Sequence, residues 1–261
     1  MSSHAIAPTY YNISPRVTAF STTRHGGNSV GNYASFNINE FCGDNAHSVA
    51  ANRELLAREL GIESSLIVMP HQTHGTGICV IDNEYMALPD HARRTLLDGI
   101  DAMMTNLHGI CIGVSTADCI PVLLYDPRHD AICAIHAGWH GTLARIVQKA
   151  VNVMHTNYQT APTELRCIIG PGISRQNFEV GDEVYDAFKN EGFDMTSIAE
   201  RHTKWHIDLP LCNHMMLEQL GVASENIMKS GICTYDHVDD YFSARRLGTE
   251  SGRIFTGIML K

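Results

Sequence analysis

Apolar residues recur along this chain with two periods, and the switches between them predict a mixture of strands and helices. Over 46–60, Val49, Leu56 and Leu60 share one helical face, and Gly61 follows as a stop. Over 142–154, Leu143, Ile146, Val147, Ala150, Val151 and Met154 recur at i, i+3, i+4 and i+7, the clearest helical stripe in the sequence. A shorter helix is expected over 181–190, with Val184, Ala187 and Phe188 apolar. Another is expected over 208–221, capped by Asp208, with Pro210 in its first turn and Gly221 just past its end. The runs LIVMP (66–70), GICVID (77–82), GICIGV (109–114), LRCIIG (165–170) and RIFTGIML (253–260) read as strands. Residues 17–43 read as short strands and loops with a turn at Gly26-Gly27, and the charged, irregular segment 83–98 reads as a surface stretch. Strands and helices intermix and include a tight hairpin, which favours a mixed sheet over a parallel one.

That hairpin is PVLLYDPRHDAICAI (121–135), a strand, a turn and a second strand lying between Cys119 and His136. A turn centred on Pro127-Arg128 makes paired residue numbers sum to 255, which sets Cys119 opposite His136. The two Cβ atoms would then lie ~5 Å apart on one face, whereas a slip of one residue would send them to opposite faces. A thiol and an imidazole held that close form half of a metal site or a nucleophile–base pair.

A chain of 261 residues can bury a core without covalent staples. The formal net charge is −9 with no long basic run, which argues against a nucleic-acid or anionic-membrane partner. Eight scattered cysteines without a CxxC pair fit reduced thiols in a cytoplasmic protein. The first residues, MSSHAIAPTYYNISPR, lack a cationic start and an apolar run, so no secretory signal is expected. No linker, low-complexity tract or repeat marks a domain boundary.

Three segments offer ligands for a metal: His71 and His74 in PHQTHG, Cys119 in TADCIP, and His136 in AIHAGWHG. One Cys with two His matches a zinc site that keeps a position for substrate. Zinc there deprotonates its cysteine ligand and supplies Lewis acidity. His71 or His140 could close such a site as a fourth ligand. The segment GPGIS (170–174), after a strand, is a weak candidate for holding phosphate on backbone amides. Arg24, Arg53, Arg245, Arg246 and Arg253 are candidates for anion recognition, because a planar guanidinium fits phosphate in two-point contact.

The motifs QTHG, DAMMTN, TADCIPVLLYDP, HAGWHG, IGPGI, FEVGDEV and YFSARRLGTESGR, with STTRHGG, SFNIN and GDNAHSVAANRELL before them, occur in the order seen in YfiH-type laccase-domain proteins. The chain resembles that family from about residue 19 to its C-terminus. The resemblance implies an α/β fold of α+β character. It implies one domain over 1–261, with 1–16 as an N-terminal extension and with packed mixed sheets flanked by helices. It implies zinc held by His74, Cys119 and His136, and a purine nucleoside enzyme. The activities implied are phosphorolysis of adenosine, inosine and methylthioadenosine, and adenosine deamination. In that reading Asp118 or His71 moves a proton, and Asn37, Arg53 and Arg246 contact substrate or phosphate. Other readings are a peptidoglycan-precursor editing amidase, a metal-free cysteine hydrolase with Cys119 as nucleophile and His136 as base, a copper polyphenol oxidase, and a non-catalytic metal-binding protein. The chain departs from the family's HAGWRG by carrying His140, and HQTH adds His71 near the expected ligands. The laccase label sits poorly with a sequence that has no HxH pair, because one Cys-His-His set suits Lewis-acid chemistry better than oxygen reduction.

Overall fold

The computed structural model of this chain describes residues 6–261, so residues 1–5 of the expected N-terminal extension lie outside the described residues. The first half contains β1 (Thr9–Tyr11), β2 (Val17–Ser21), α1 (Ala46–Leu60), β3 (Ile67–Val68), β4 (Gly77–Val80), α2 (Asn83–Ala87), α3 (Asp90–Leu96), β5 (Ile100–Thr105), β6 (Cys111–Thr116) and β7 (Ile120–Asp126). Next come β8 (Ala131–Ala137), α4 (Trp139–Leu143), α5 (Ile146–Tyr158), β9 (Arg166–Ile169), β10 (Glu179–Val180), α6 (Asp182–Asn190) and α7 (Met195–Ile198). The chain ends with β11 (Ala199–Arg201), β12 (Trp205–Ile207), α8 (Leu209–Gln219), β13 (Ile227–Lys229), α9 (Ala244–Leu247) and β14 (Ile254–Leu260).

Two large mixed sheets form the frame. One runs β1-β2-β14-β6-β3 and the other β13-β9-β7-β8-β5-β4, with a small sheet β10-β12-β11 to one side. Pairing is antiparallel except for β3/β6, β4/β5 and β9/β13. Alternation along each strand assigns the layers. Leu123 and Tyr125 of β7, with Ile132 and Ala134 of β8, meet Ile112, Val114 and Ile258 of the first sheet. Val122, Leu124, Cys133 and Ile135 point the other way, onto Ile146, Val147 and Ala150 of α5 and Met216 of α8. The outer face of the first sheet offers Phe20 and Phe255 to Leu56 and Ala57 of α1. The result is one α/β domain of four layers: helix, sheet, sheet, helices. Strands covered on both faces read as continuous apolar runs, which is why β7 and β8 are buried at every residue.

Several expectations need correction. The expected helix over 142–154 is two helices: the chain breaks at Arg145, which adopts φ 60°, and α5 runs on to Tyr158. The apolar stripe is unbroken across that joint, so periodicity reported the buried face and not the continuity of the axis. The segment 83–98 is helical in α2 and α3. Asp82 accepts the Tyr85 amide as a cap, and Asp90 and Arg93 occupy the first and last turns of α3, where charge complements the helix dipole. The strand expected at 109–114 lies at 111–116. The hairpin register also differs. Residues 127–130 form a four-residue loop with Asp130 at φ 48°, and paired numbers sum to 257, with Pro121 opposite His136. A shift of two residues preserves the face of every side chain, so Cys119 stays on the His136 side, one diagonal step away.

Candidate metal centre

Two loops and one strand supply the three ligand-type side chains. His74 lies in the loop after β3 with φ 63°, and Cys119 sits at the turn entering β7, just after Asp118 at φ 89°. His136 is on β8 and is 2% exposed. Their ligand atoms lie within 4.8 Å of one another. The β5–β8 register, with Ala102 opposite Ile135, brings Asp101 opposite His136. Asp101 Oδ1 lies 2.7 Å from His136 Nδ1. The same carboxylate accepts the amides of His74 (3.0 Å) and Gly75 (2.7 Å), and more weakly that of Thr73 (3.4 Å). One buried carboxylate therefore fixes the histidine loop against the strand and, with Nδ1 as donor, leaves His136 Nε2 free for the centre.

The charge state follows from this packing. Burial pushes the Asp101 carboxyl up, and hydrogen bonds from His136, Gly75 and Thr73 outweigh it, holding the group below its ordinary value. Burial likewise pushes the Cys119 thiol up, but His136 and then His74 bring it down to about 6. Burial pushes His136 down, and the Cys119 thiolate and Asp101 raise it to about 9. Each partner therefore favours the charged form of the other, the thiolate of Cys119 and the imidazolium of His136.

Gly138 makes room for this cluster. In the observed register it faces Cys119, and a Cβ there would lie 3.0 Å from Cys119 Sγ and 3.2 Å from His74 Cδ2. The donor set of one soft thiolate and two imidazoles, a carboxylate behind one ring and a cradle that a methyl group would fill all fit a zinc-type cation. The centre lines a cavity of ≈ 240 Å³ whose other walls include Asn39, Phe41, His71, Gln72, Ser115 and Arg253.

The remaining sequence candidates take other places. The Asp118 carboxylate accepts Thr234 Oγ1 and the Arg245 amide, both at 2.7 Å. Asn37 is buried, donating to Asp44 Oδ2 (2.8 Å) and accepting the Arg253 amide (3.1 Å). Arg53 donates to Ile67 O and lines a separate cavity with Arg93 and Arg94. Arg246 donates to Tyr235 O and lies over its ring. Arg24 donates to Ala34 O and Val238 O. His71 lines the cavity but is outside the converging group, with Nδ1 on Asp98 Oδ1 at 2.7 Å. His140 stacks on Trp139, and burial, then His74, lowers its pKa. In GPGIS the amides of Gly170, Gly172 and Ile173 already donate to Pro121 O, Ile232 O and Asp118 O, so they do not form a phosphate cradle. Arg253 is the one sequence-derived arginine that reaches the catalytic-type cavity, its guanidinium donating to Thr249 O, Ser251 O and Gly252 O. Sequence reasoning gave no role to Asp101 or Gly138; no spacing rule links Asp101 to a partner 35 positions away.

Fold and site together define an α/β protein with a convergent His–Cys–His centre in an open cavity. Residues 18–261 match the family described as multi-copper polyphenol oxidoreductase laccase, and the chain belongs to that family. It is 46% identical over 247 residues to a purine nucleoside phosphorylase of Bacteroides thetaiotaomicron, covering 94% of this chain and 92% of that one. It is 41% identical over 248 residues to adenosine deaminase RL5 of an unknown prokaryotic organism, covering 94% of each. Among solved structures, YlmD from Geobacillus stearothermophilus superposes with a TM-score of 0.89 at 28% identity, covering 96% of this chain and 94% of that one.

Proposed function

We propose that this chain is an enzyme of the purine nucleoside phosphorylase and adenosine deaminase type, acting on adenosine, inosine and methylthioadenosine with zinc held by His74, Cys119 and His136. The observation that carries the reading is the convergence of those three ligand atoms at the wall of a small-molecule cavity. Two relatives named for purine nucleoside chemistry, each matching more than nine-tenths of the chain, support the substrate class. When bound, the cation supplies Lewis acidity to a polar substrate atom.

The chain's own residues do the rest. Asp101 holds His136 in one tautomer and orients the His74 loop. Gln72 locks that loop to β6 by donating to Ser115 O (2.9 Å) and accepting the Ser115 amide (2.7 Å). Asp118 keeps the turn before Cys119 in place through Thr234 and Arg245. Arg253 supplies positive charge for phosphate at the rim, with Asn37 holding its backbone. A zinc reading is favoured over copper oxidation because one thiolate and two imidazoles form a single set suited to Lewis-acid chemistry.

The test is Cys119→Ala. Zinc content should fall from near one per chain to near zero, and turnover of inosine and adenosine with phosphate should drop by at least ~100-fold, in line with the cost of removing a principal catalytic group. Undiminished turnover of both nucleosides discards the reading.

A second reading is a metal-free cysteine hydrolase, favoured by the depressed Cys119 thiol beside His136. It requires full activity after chelation and loss of activity on stoichiometric alkylation of Cys119.

A further inference from the structure

We propose that Phe41 and His71 form a stacking platform for the flat heteroaromatic base of the substrate, and so set which compounds the cavity accepts. The proposal deepens the purine nucleoside reading and rests on it. Five large apolar side chains are exposed among the described residues: Tyr10, Val30, Phe41, Leu96 and Met228. Of these, Phe41 lines the cavity that holds His74, Cys119 and His136. It is 43% exposed, although burying a ring of this size is strongly favourable. Its ring is stacked on His71, with centroids 4.4 Å apart and planes 26° from parallel.

Both rings are held in place before any ligand arrives. His71 is pinned by Asp98 at Nδ1 and by main-chain bonds on both sides, its amide donating to Leu97 O and its carbonyl accepting the Gly99 amide, each at 3.0 Å. The Phe41 amide donates to Asn39 Oδ1 (2.6 Å), and Asn39 Nδ2 donates to Ser115 Oγ. Gln72, next to His71, is bonded twice to the Ser115 backbone. The two loops that carry the rings are therefore anchored to the same residue of β6, beside the metal-ligand loop. A preorganised aromatic face pays little entropy on binding. Its chemistry selects a planar π-system: a sugar or acyl chain gains nothing from ring stacking, whereas a purine ring covers the exposed face. The Asn39, Gln72 and Arg253 side chains around it supply the polar rim that orients such a ligand.

The experiment measures equilibrium binding of adenosine and of adenine by calorimetry, with turnover assayed separately, for the wild-type chain and four variants. Phe41→Ala should raise both dissociation constants about tenfold (~1.4 kcal/mol), and it should raise KM in parallel while kcat moves much less. Phe41→Tyr, which keeps the ring, should stay within about twofold of wild type by the stacking argument. His71→Ala should weaken binding and His71→Phe should restore it, a rescue that a purely structural imidazole–Asp98 bond would not give. Thermal melts of each variant establish that the fold is retained. Unchanged dissociation constants in folded Phe41→Ala overturn the platform, as does a wild-type chain that binds neither compound. A wild-type chain that binds adenosine through Phe41 but never converts it leaves the platform standing and overturns the purine nucleoside reading.

Discussion

Asp101 and Asp126 show how single carboxylates organise this protein. Asp101 holds three loop amides and the His136 ring. Asp101→Asn keeps the shape but places an amide nitrogen or a weaker acceptor against Nδ1. Zinc affinity should fall ~10–100-fold, the usual cost of losing such a support, measured by competition with a chromophoric chelator. Asp126 is fully buried at the end of β7. It accepts the amides of Arg128 (2.9 Å) and His129 (3.2 Å) and bonds His129 Nδ1 (2.9 Å). Burial pushes its carboxyl up, and the neighbouring Thr160 hydroxyl, then the His129 ring and the two amides, outweigh it and hold it below the ordinary value. A carboxyl depressed on folding contributes stability that is present above the unfolded value of ~3.9 and is lost as pH falls through the folded one. Asp126→Asn should therefore lower stability at neutral pH and flatten the loss as pH falls below about 4, as read by urea unfolding at a series of acidic pH values. At this scale the sequence exposed Cys119, His136 and His74 as candidates, because ligand-type residues stand out by chemistry alone. Asp101 was silent, because an Asp in a motif looks the same whether it faces solvent or a histidine.

The elements divide by how local their determinants are. Helices α1 and α8 were legible end to end. Asn45 and Asp208 cap them by accepting nearby amides, and Gly61 and Gly221 adopt positive φ just past their ends. Helix α5 ends instead on Gln159, an exposed side chain at φ 59°. Glycine suits that conformation better. Gln159→Gly should stabilise the protein by up to ~1 kcal/mol, visible as a raised melting temperature; a lowered one would contradict the cap argument. The β7–β8 hairpin was legible as a hairpin but not in register. A four-residue loop replaced the expected two-residue turn, because the Asp126 side chain collects the Arg128 and His129 amides and Asp130 takes a positive φ. The inference survived because a two-residue error leaves face parity intact.

In the whole molecule, the hairpin is the spine to which everything else is fitted. Leu124, at its centre, is fully buried against the helical layer. Leu124→Ala should cost ~2–5 kcal/mol, measured by urea unfolding, and a loss below ~1 kcal/mol would show that this layer repacks freely. None of its helices is long and apolar enough to cross a membrane, among the described residues. The amino-acid sequence by itself determined the class of fold, the ends of the best-capped helices and the hairpin, and it marked His71, His74, Cys119, His136 and His140 as ligand-type candidates. Each of these is encoded by local periodicity, local capping chemistry or residue type. Tertiary structure alone decided that β5 lies beside β8, which brings Asp101 to His136, that Gly138 faces Cys119, and that Phe41 stacks on His71. It also decided that Arg53 and Arg246 face elsewhere. Those outcomes depend on which strands and loops become neighbours, and neighbours distant along the chain are chosen by the packing of whole layers.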